Sequence, residues 1–262
     1  MSLRLANVLG AIALLASCTQ TTGGQLVDFP VAAAGVVDAK DGVYTFATDG
    51  GFSISLARAE LHLGAIYLVD TAPISGSQGG SCVLPGTYVA QMTSGFRVNL
   101  LTTAPARAPA LGHGTTERAL VGQVWLTGGD VDALDDRTEV LVLEGVATRG
   151  SESRRFSAKV TIGQNRQTGS GVAVGANPIC KQRIVPVLTN LVVSPTGGLV
   201  LRVDVRELLS NVDWSVVTAT TDEVYTFADT ASGDQPSKNL YANLHAGTGS
   251  ASPFAFTWSE AP

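Results

Sequence analysis

The stretch 52–69, FSISLARAELHLGAIYLV, alternates apolar and polar side chains along most of its length. In an extended chain Phe52, Ile54 and Leu56 share one face, because successive side chains of a strand point to opposite sides. One face buried and one face wet is the pattern of an antiparallel sheet. Gly64 interrupts the run, and glycine inside a strand weakens it or marks a bend, so the strand is expected to bend or break there.

Similar β-branched and aromatic runs recur along the chain, separated by clusters of Gly, Pro, Asp and Asn. They fall at 43–48, 88–92, 97–101, 120–127, 139–147, 156–162, 184–193, 199–205, 213–217, 224–228 and 254–258. About a dozen strands at this spacing predict an all-β fold, an antiparallel β-sandwich in two layers. Two joins read as hairpins. One links VLVLEGVATRG (140–150) to RRFSAKVTIG (154–163); the other is NLVVSPTGGLVLRV (190–203), where Pro195 presets a turn torsion and Gly197-Gly198 admit positive φ. Helix signals are short, at 206–210 and at 239–245, where Leu240 and Leu244 stand four apart and Gly247 can close the end. The stretch TTAPARAPALGHGTTE (102–117) reads as a long surface loop. VYTFA occurs at both 43–47 and 224–228, each with an Asp two places before it, but the flanks do not match. A good half-buried strand explains the echo without duplication.

Composition bounds the function. The chain has 262 residues, 45% hydrophobic and 15% charged, with net charge −5 and pI about 5.1. It can bury a sizeable core. Without a basic footprint to neutralise phosphates, nucleic acid is not a partner to expect.

The N-terminus fixes a compartment. Arg4 precedes an apolar run of about nine residues, far short of the roughly 20 a spanning helix needs, so this is a signal-peptide core. Leu15-Ala16-Ser17-Cys18 then resembles the lipobox of bacterial lipoproteins. That resemblance covers residues 1–18 only. It implies cleavage before Cys18, a diacylglyceryl group on the Cys18 thiol and acylation (palmitate) of the new N-terminus. Two or three acyl chains anchor stably where one does not. Thr19 is not the Asp that retains many such proteins in the inner membrane, so the resemblance favours the outer membrane. The expected organisation is a signal peptide (1–17), a lipidated flexible tether (18–25) and a single β-sandwich domain (26–262). The mature chain resembles the many uncharacterised bacterial surface lipoproteins, a resemblance that carries no activity with it and leaves open whether the domain faces the periplasm or the surface.

With Cys18 lipidated, Cys82 and Cys180 remain. In an oxidising periplasm they are expected to pair, closing a loop of about a hundred residues worth roughly 4 to 5 kcal/mol in the chain-entropy model. Neither CxxC nor a neighbouring His makes them metal thiolates.

No motif for catalysis stands out. GxSxG, SxxK, HExxH and GxxxxGK[ST] are absent. GSGVAVG (169–175) is glycine-rich but opens no helix, so it lacks the dipole of a phosphate cradle. The three histidines, His62, His113 and His245, are candidate ligands for a trigonal zinc or copper site. Taken singly they read as a half-exposed strand residue, an exposed loop residue and a helix C-cap. Asp130, Asp132, Asp135 and Asp136 in GGDVDALDD are candidate calcium ligands. This is no EF-hand, since Leu134 stands where a ligand belongs, the invariant Gly is missing and Leu141 replaces the closing Glu. Trp125, Trp214 and Trp258 sit in apolar patterns and are expected in the core.

The expected function is that of a non-enzymatic binding or structural lipoprotein. It engages an envelope protein, polymer or small ligand through its loops, chiefly 102–117 and 229–238. The alternative is a metal-binding or metal-handling periplasmic protein. The anchor is directly testable: Cys18→Ala should abolish the lipid mass increment and release the protein from washed membranes. Retention of the variant in the outer-membrane fraction after a high-salt wash would refute the lipobox.

Overall fold

The computed structural model describes residues 23–71, 86–164, 178–218, 223–230, 233–247 and 252–260. The signal peptide, Cys18, Cys82 and the glycine-rich 169–175 lie outside them. In chain order the strands are β1 (Leu26–Phe29), β2 (Val31–Gly35), β3 (Tyr44–Ala47), β4 (Ser53–Leu63), β5 (Ala65–Val69), β6 (Tyr88–Met92), β7 (Phe96–Asn99) and β8 (Ala106–Arg107). They continue as β9 (Gly112–Thr115), β10 (Arg118–Trp125), β11 (Leu141–Arg149), β12 (Glu152–Val160), β13 (Ile184–Val192), β14 (Gly198–Val203), β15 (Val224–Phe227) and β16 (Phe254–Ser259). Three short helices join them: α1 (Ile179–Gln182), α2 (Val205–Leu209) and α3 (Gln235–Leu244).

The fold is all-β and sandwich-like, as the alternation predicts, with sixteen strands among the described residues in three sheets. Sheet I has the order β1-β9-β6-β5-β10-β13 and is antiparallel throughout. Sheet II has the order β15-β12-β11-β4-β3, with β7 beside β4. Sheet III has the order β16-β14-β2-β8. The layers are not purely antiparallel: β15 runs parallel to β12, and β2 parallel to β14.

The run 52–69 joins two of these sheets. β4 lies in sheet II and β5 in sheet I, and Gly64 is the corner between them. The Gly64 N–H donates to the Trp125 carbonyl at 2.8 Å. A Cβ there would stand 2.2 Å from the Thr127 carbonyl oxygen, so no other residue fits. Burial alternates along β4 but slips phase midway: Ile54 and Leu56 are buried, then Ala59, Leu61 and Leu63. The cause is a bulge, in which Glu144 faces Arg58 while Gly145 faces Leu56, leaving Ala57 as the extra residue. These apolar side chains join Phe29, Ile66, Leu68, Val124, Leu143, Phe156 and Leu201 in one contiguous buried cluster.

The hairpin of β11 and β12 forms as expected, turning at Gly150 with φ 60°. The second expected hairpin does not form. β13 lies in sheet I and β14 in sheet III, because both edges of β14 are taken by β16 and β2. The Pro195–Gly198 turn instead carries the chain between sheets. The predicted strand at 213–217 is a turn: Asp213 Oδ1 accepts the Ser215 N–H and hydroxyl, tucking Trp214 against Phe156 at 4.8 Å. The stretch 102–117 is not all loop, since β8 and β9 arise within it. The two VYTFA copies form β3 and β15, the opposite edges of one sheet, which is not how a duplicated half-domain would place them.

The folded body begins before Leu26. The Gly24 N–H donates to Glu117 Oε1 and the Gln25 N–H to Thr116 Oγ1, each at 2.9 Å, so residues 24 and 25 belong to the folded body. No described helix is long and apolar enough to cross a membrane.

The corner can be tested by substitution. Gly64→Ala should lower stability by about 1 to 3 kcal/mol through overpacking against backbone. Gly50→Ala, whose Cβ would meet only Thr48 Oγ1 at 3.9 Å, should be close to neutral. Equal urea midpoints for the two variants would remove the corner from its role.

Candidate ligand-binding face

The outer face of sheet I, opposite the core, carries a row of polar and aromatic side chains in cross-strand register. Asp28 of β1 pairs with His113 of β9, His113 with Gln91 of β6, Gln91 with Tyr67 of β5, and Tyr67 with Gln123 of β10. Alternation explains most of it. Val27 and Phe29 are buried on either side of Asp28, and Ile66 and Leu68 on either side of Tyr67, so the residues between them point outward. Tyr88 joins the row through a bulge: Ala90 faces Leu68 but Tyr88 faces Val69, so Val89 is the extra residue. Both Val89 and Ala90 enter the core, and Tyr88 emerges beside Tyr67.

β9 is built from Gly112-His113-Gly114, which reads as loop but packs as strand. A Cβ at Gly112 would meet the Phe29 ring at 2.4 Å, and one at Gly114 the Ala90 Cβ at 2.4 Å. The glycines let neighbouring elements close in while His113 alone projects outward.

The row runs from water to burial. Asp28 and His113 have side chains 64% and 63% exposed, whereas Gln123 is 1% exposed. The His113 Nδ1–H donates to Asp28 Oδ1 at 2.6 Å, since an ionised carboxylate offers only acceptors, and this turns Nε2 outward. Tyr67 packs on Trp125 at 4.4 Å and edge-on to Tyr88 at 5.2 Å, and the Trp125 Nε1–H donates to Gln123 Oε1 at 3.1 Å. Burial raises both tyrosine pKa values above the usual phenol, with Tyr88 adding to the effect on Tyr67, so both hydroxyls stay protonated at neutral pH. Trp125 is thus on the outer face and half-buried, while Trp214 is in the core and Trp258 rests on Phe29 at 4.9 Å.

The three histidines do not assemble. His62 projects from β4 in sheet II beside Gly95, its Nε2 buried without a partner, and burial and Arg97 push its pKa down. His113 is bound to Asp28 at the far edge of sheet I. His245 caps α3, as its simplest reading had it, with its ring nitrogens against the carbonyls of Tyr241 and Gln182. Among the described residues no three His, Cys, Asp or Glu side chains are grouped to hold a metal ion. The trigonal zinc or copper set is therefore corrected to three separate contacts.

The acidic turn is corrected too, because its interior already holds a cation. Arg183, 0% exposed, donates from Nη1 to the carbonyls of Val131 at 2.8 Å and Asp130 at 3.2 Å, and from Nε to that of Ile162 at 3.1 Å. Asp136 is spent within the turn: Oδ2 accepts from the Gly128 N–H and the Thr127 hydroxyl, and Oδ1 from the Thr138 N–H. Asp130 Oδ1 accepts the Asp132 N–H, and Asp135 pairs with Arg137 on the surface. Three of the four carboxylates are thus engaged within the turn or with Arg137, and no three His, Cys, Asp or Glu side chains among the described residues are grouped to hold a metal ion.

The loop 229–238, expected to bind a partner, is occupied internally where it is described. Asp229 accepts from the Thr161 N–H and hydroxyl, Asp234 from the Tyr225 hydroxyl, and the Ser237 hydroxyl from the Ala228 N–H. Cys180 is buried in α1; its expected partner Cys82 lies outside the described residues. Of the face itself, the sequence singled out His113, and Trp125 only as core. Asp28, Tyr67 and Gln91 follow from strand alternation once the sheet order is known, but Tyr88 requires the bulge.

The turn predicts an acid-dependent stability. Burial alone would raise the Asp136 pKa, but the N–H groups of Gly128 and Thr138 and the hydroxyls of Thr138 and Thr127 outweigh it and hold the pKa at about 2, below the ordinary 3.8. A depressed carboxylate stabilises fully above its unfolded pKa and loses that contribution as pH falls through its folded one. The difference in urea midpoint between wild type and Asp136→Asn should be full at pH 6 and shrink between pH 4 and pH 2. A gap independent of pH would show that the ionised carboxylate does not organise the turn.

No protein-family model matches the chain, and no curated protein sequence does. Among solved structures it is similar to MbnP from Methylosinus trichosporium, with a TM-score of 0.41 and 15% identity over 89% of this chain and 98% of that one. A likeness at that level carries nothing about ligand or activity.

Proposed function

We propose that the protein is a non-enzymatic binding module of the bacterial envelope, anchored to the outer membrane through lipid on Cys18. In this reading the mature chain begins at Cys18, and a Cys82–Cys180 disulfide, in keeping with an oxidising compartment, staples the domain. Its binding surface is the outer face of sheet I.

The observation that carries the binding reading is the cross-strand row Asp28–His113–Gln91–Tyr67, flanked by Tyr88 and Trp125. Polar and aromatic groups converging on one face, open at one end and closed at a buried glutamine, have the form of a recognition surface. An Asp–His pair also occurs in hydrolases, but no hydroxyl or thiol nucleophile hydrogen-bonds to this imidazole among the described residues.

Site-specific photocrosslinking tests the reading in the intact envelope. A photoreactive phenylalanine analogue replacing Tyr88 in the full-length lipidated protein should capture an envelope component. The same group at Val216, 51% exposed and away from the row, should not. Equal capture at both positions, or none at Tyr88, would refute the face.

A further inference from the structure

Resting on that reading, we infer that the ligand of this face is a neutral glycan. A pyranose ring presents flat patches of C–H groups and a rim of hydroxyls that both donate and accept hydrogen bonds. It is therefore recognised by aromatic rings beside uncharged or internally compensated polar groups. The row supplies both. Tyr67, Tyr88 and Trp125 form one contiguous aromatic cluster, with Tyr88 42% exposed at its open side. Gln91 offers an amide donor and acceptor, and His113 an outward Nε2.

Charge argues for neutrality. The one carboxylate on the row, Asp28, is bound to His113, and no Lys or Arg stands on it to attract an anion. An anionic polymer would meet no cation, and a cationic peptide no free carboxylate. A purely apolar chain would strand the hydrogen-bonding side chains of the row against hydrocarbon. The accessible part of the row, from Asp28 to Tyr67, spans three strand spacings, about 14 Å, enough for a short oligosaccharide to lie across the strands.

Full-length lipidated protein in a zwitterionic detergent, which carries no sugar, is titrated with N-acetylchitohexaose, cellohexaose and maltohexaose. Calorimetry and tryptophan emission are the readouts. At least one hexasaccharide should bind and perturb the emission. Tyr88→Ala should weaken that binding by about tenfold or more, and Asp28→Asn by about threefold or more, whereas Val216→Ala should leave it unchanged. Unchanged circular dichroism excludes misfolding of the variants. No binding by any of the three sugars, or binding indifferent to both Tyr88→Ala and Asp28→Asn, overturns the inference. Position-specific crosslinking at Tyr88 without sugar binding overturns the glycan assignment alone; loss of both overturns the binding face as well.

Discussion

The close approach of Gly64 to the Thr127 backbone is the constraint on which the rest of the structure depends. At this point the chain leaves sheet II and enters sheet I, and only a residue without a Cβ can pass. The crossing also sets phase. Leu63 faces the core on one side of the corner and Ile66 on the other, and this leaves Tyr67 facing outward. Side chains alternate with period two, so a displacement of one residue at the corner would send Tyr67 inward and Ile66 into the row. A packing requirement in the interior thereby decides which chemistry appears on the surface.

What could be read from the chain is what local physics determines. Alternation in 52–69 and the polar turn between β11 and β12 are encoded by neighbours a few positions apart, and both formed as expected. The β13–β14 hairpin failed for a non-local reason: β14 had two better partners, one of them β2, over 160 residues away in the chain. The glycines around His113 were misread because the same residue serves loops by its freedom and strands by its lack of bulk. Only the positions of Phe29 and Ala90, contributed by distant segments, distinguish the two uses.

The site divides along the same line. His113 is visible as an isolated imidazole, but its carboxylate partner lies 85 positions away and becomes adjacent only when β1 pairs with β9. The four aspartates of the 130–136 turn invite a metal, yet Arg183, 52 and 53 positions from the carbonyls it grips, supplies the positive charge. The three histidines illustrate the converse: residues of one type in one chain have no reason to converge unless the sheet order brings them together.

The hydrogen bonds from Gly24 and Gln25 to Glu117 and Thr116 have a mechanical consequence. With a lipid on Cys18, as proposed, six residues would separate the anchor from Gly24, a span of at most about 20 Å. Gly24 enters the folded body at the edge formed by β1 and β9, which is also the wet end of the polar row. Under that proposal the row would be held within a thin layer above the bilayer, and its encounters with anything fixed in the envelope would become a search over an area rather than through a volume. In such a layer even a weak contact gains from high local concentration. Under that proposal the hydrogen bonds of Gly24 and Gln25 to the folded body would shorten the span and so thin the layer.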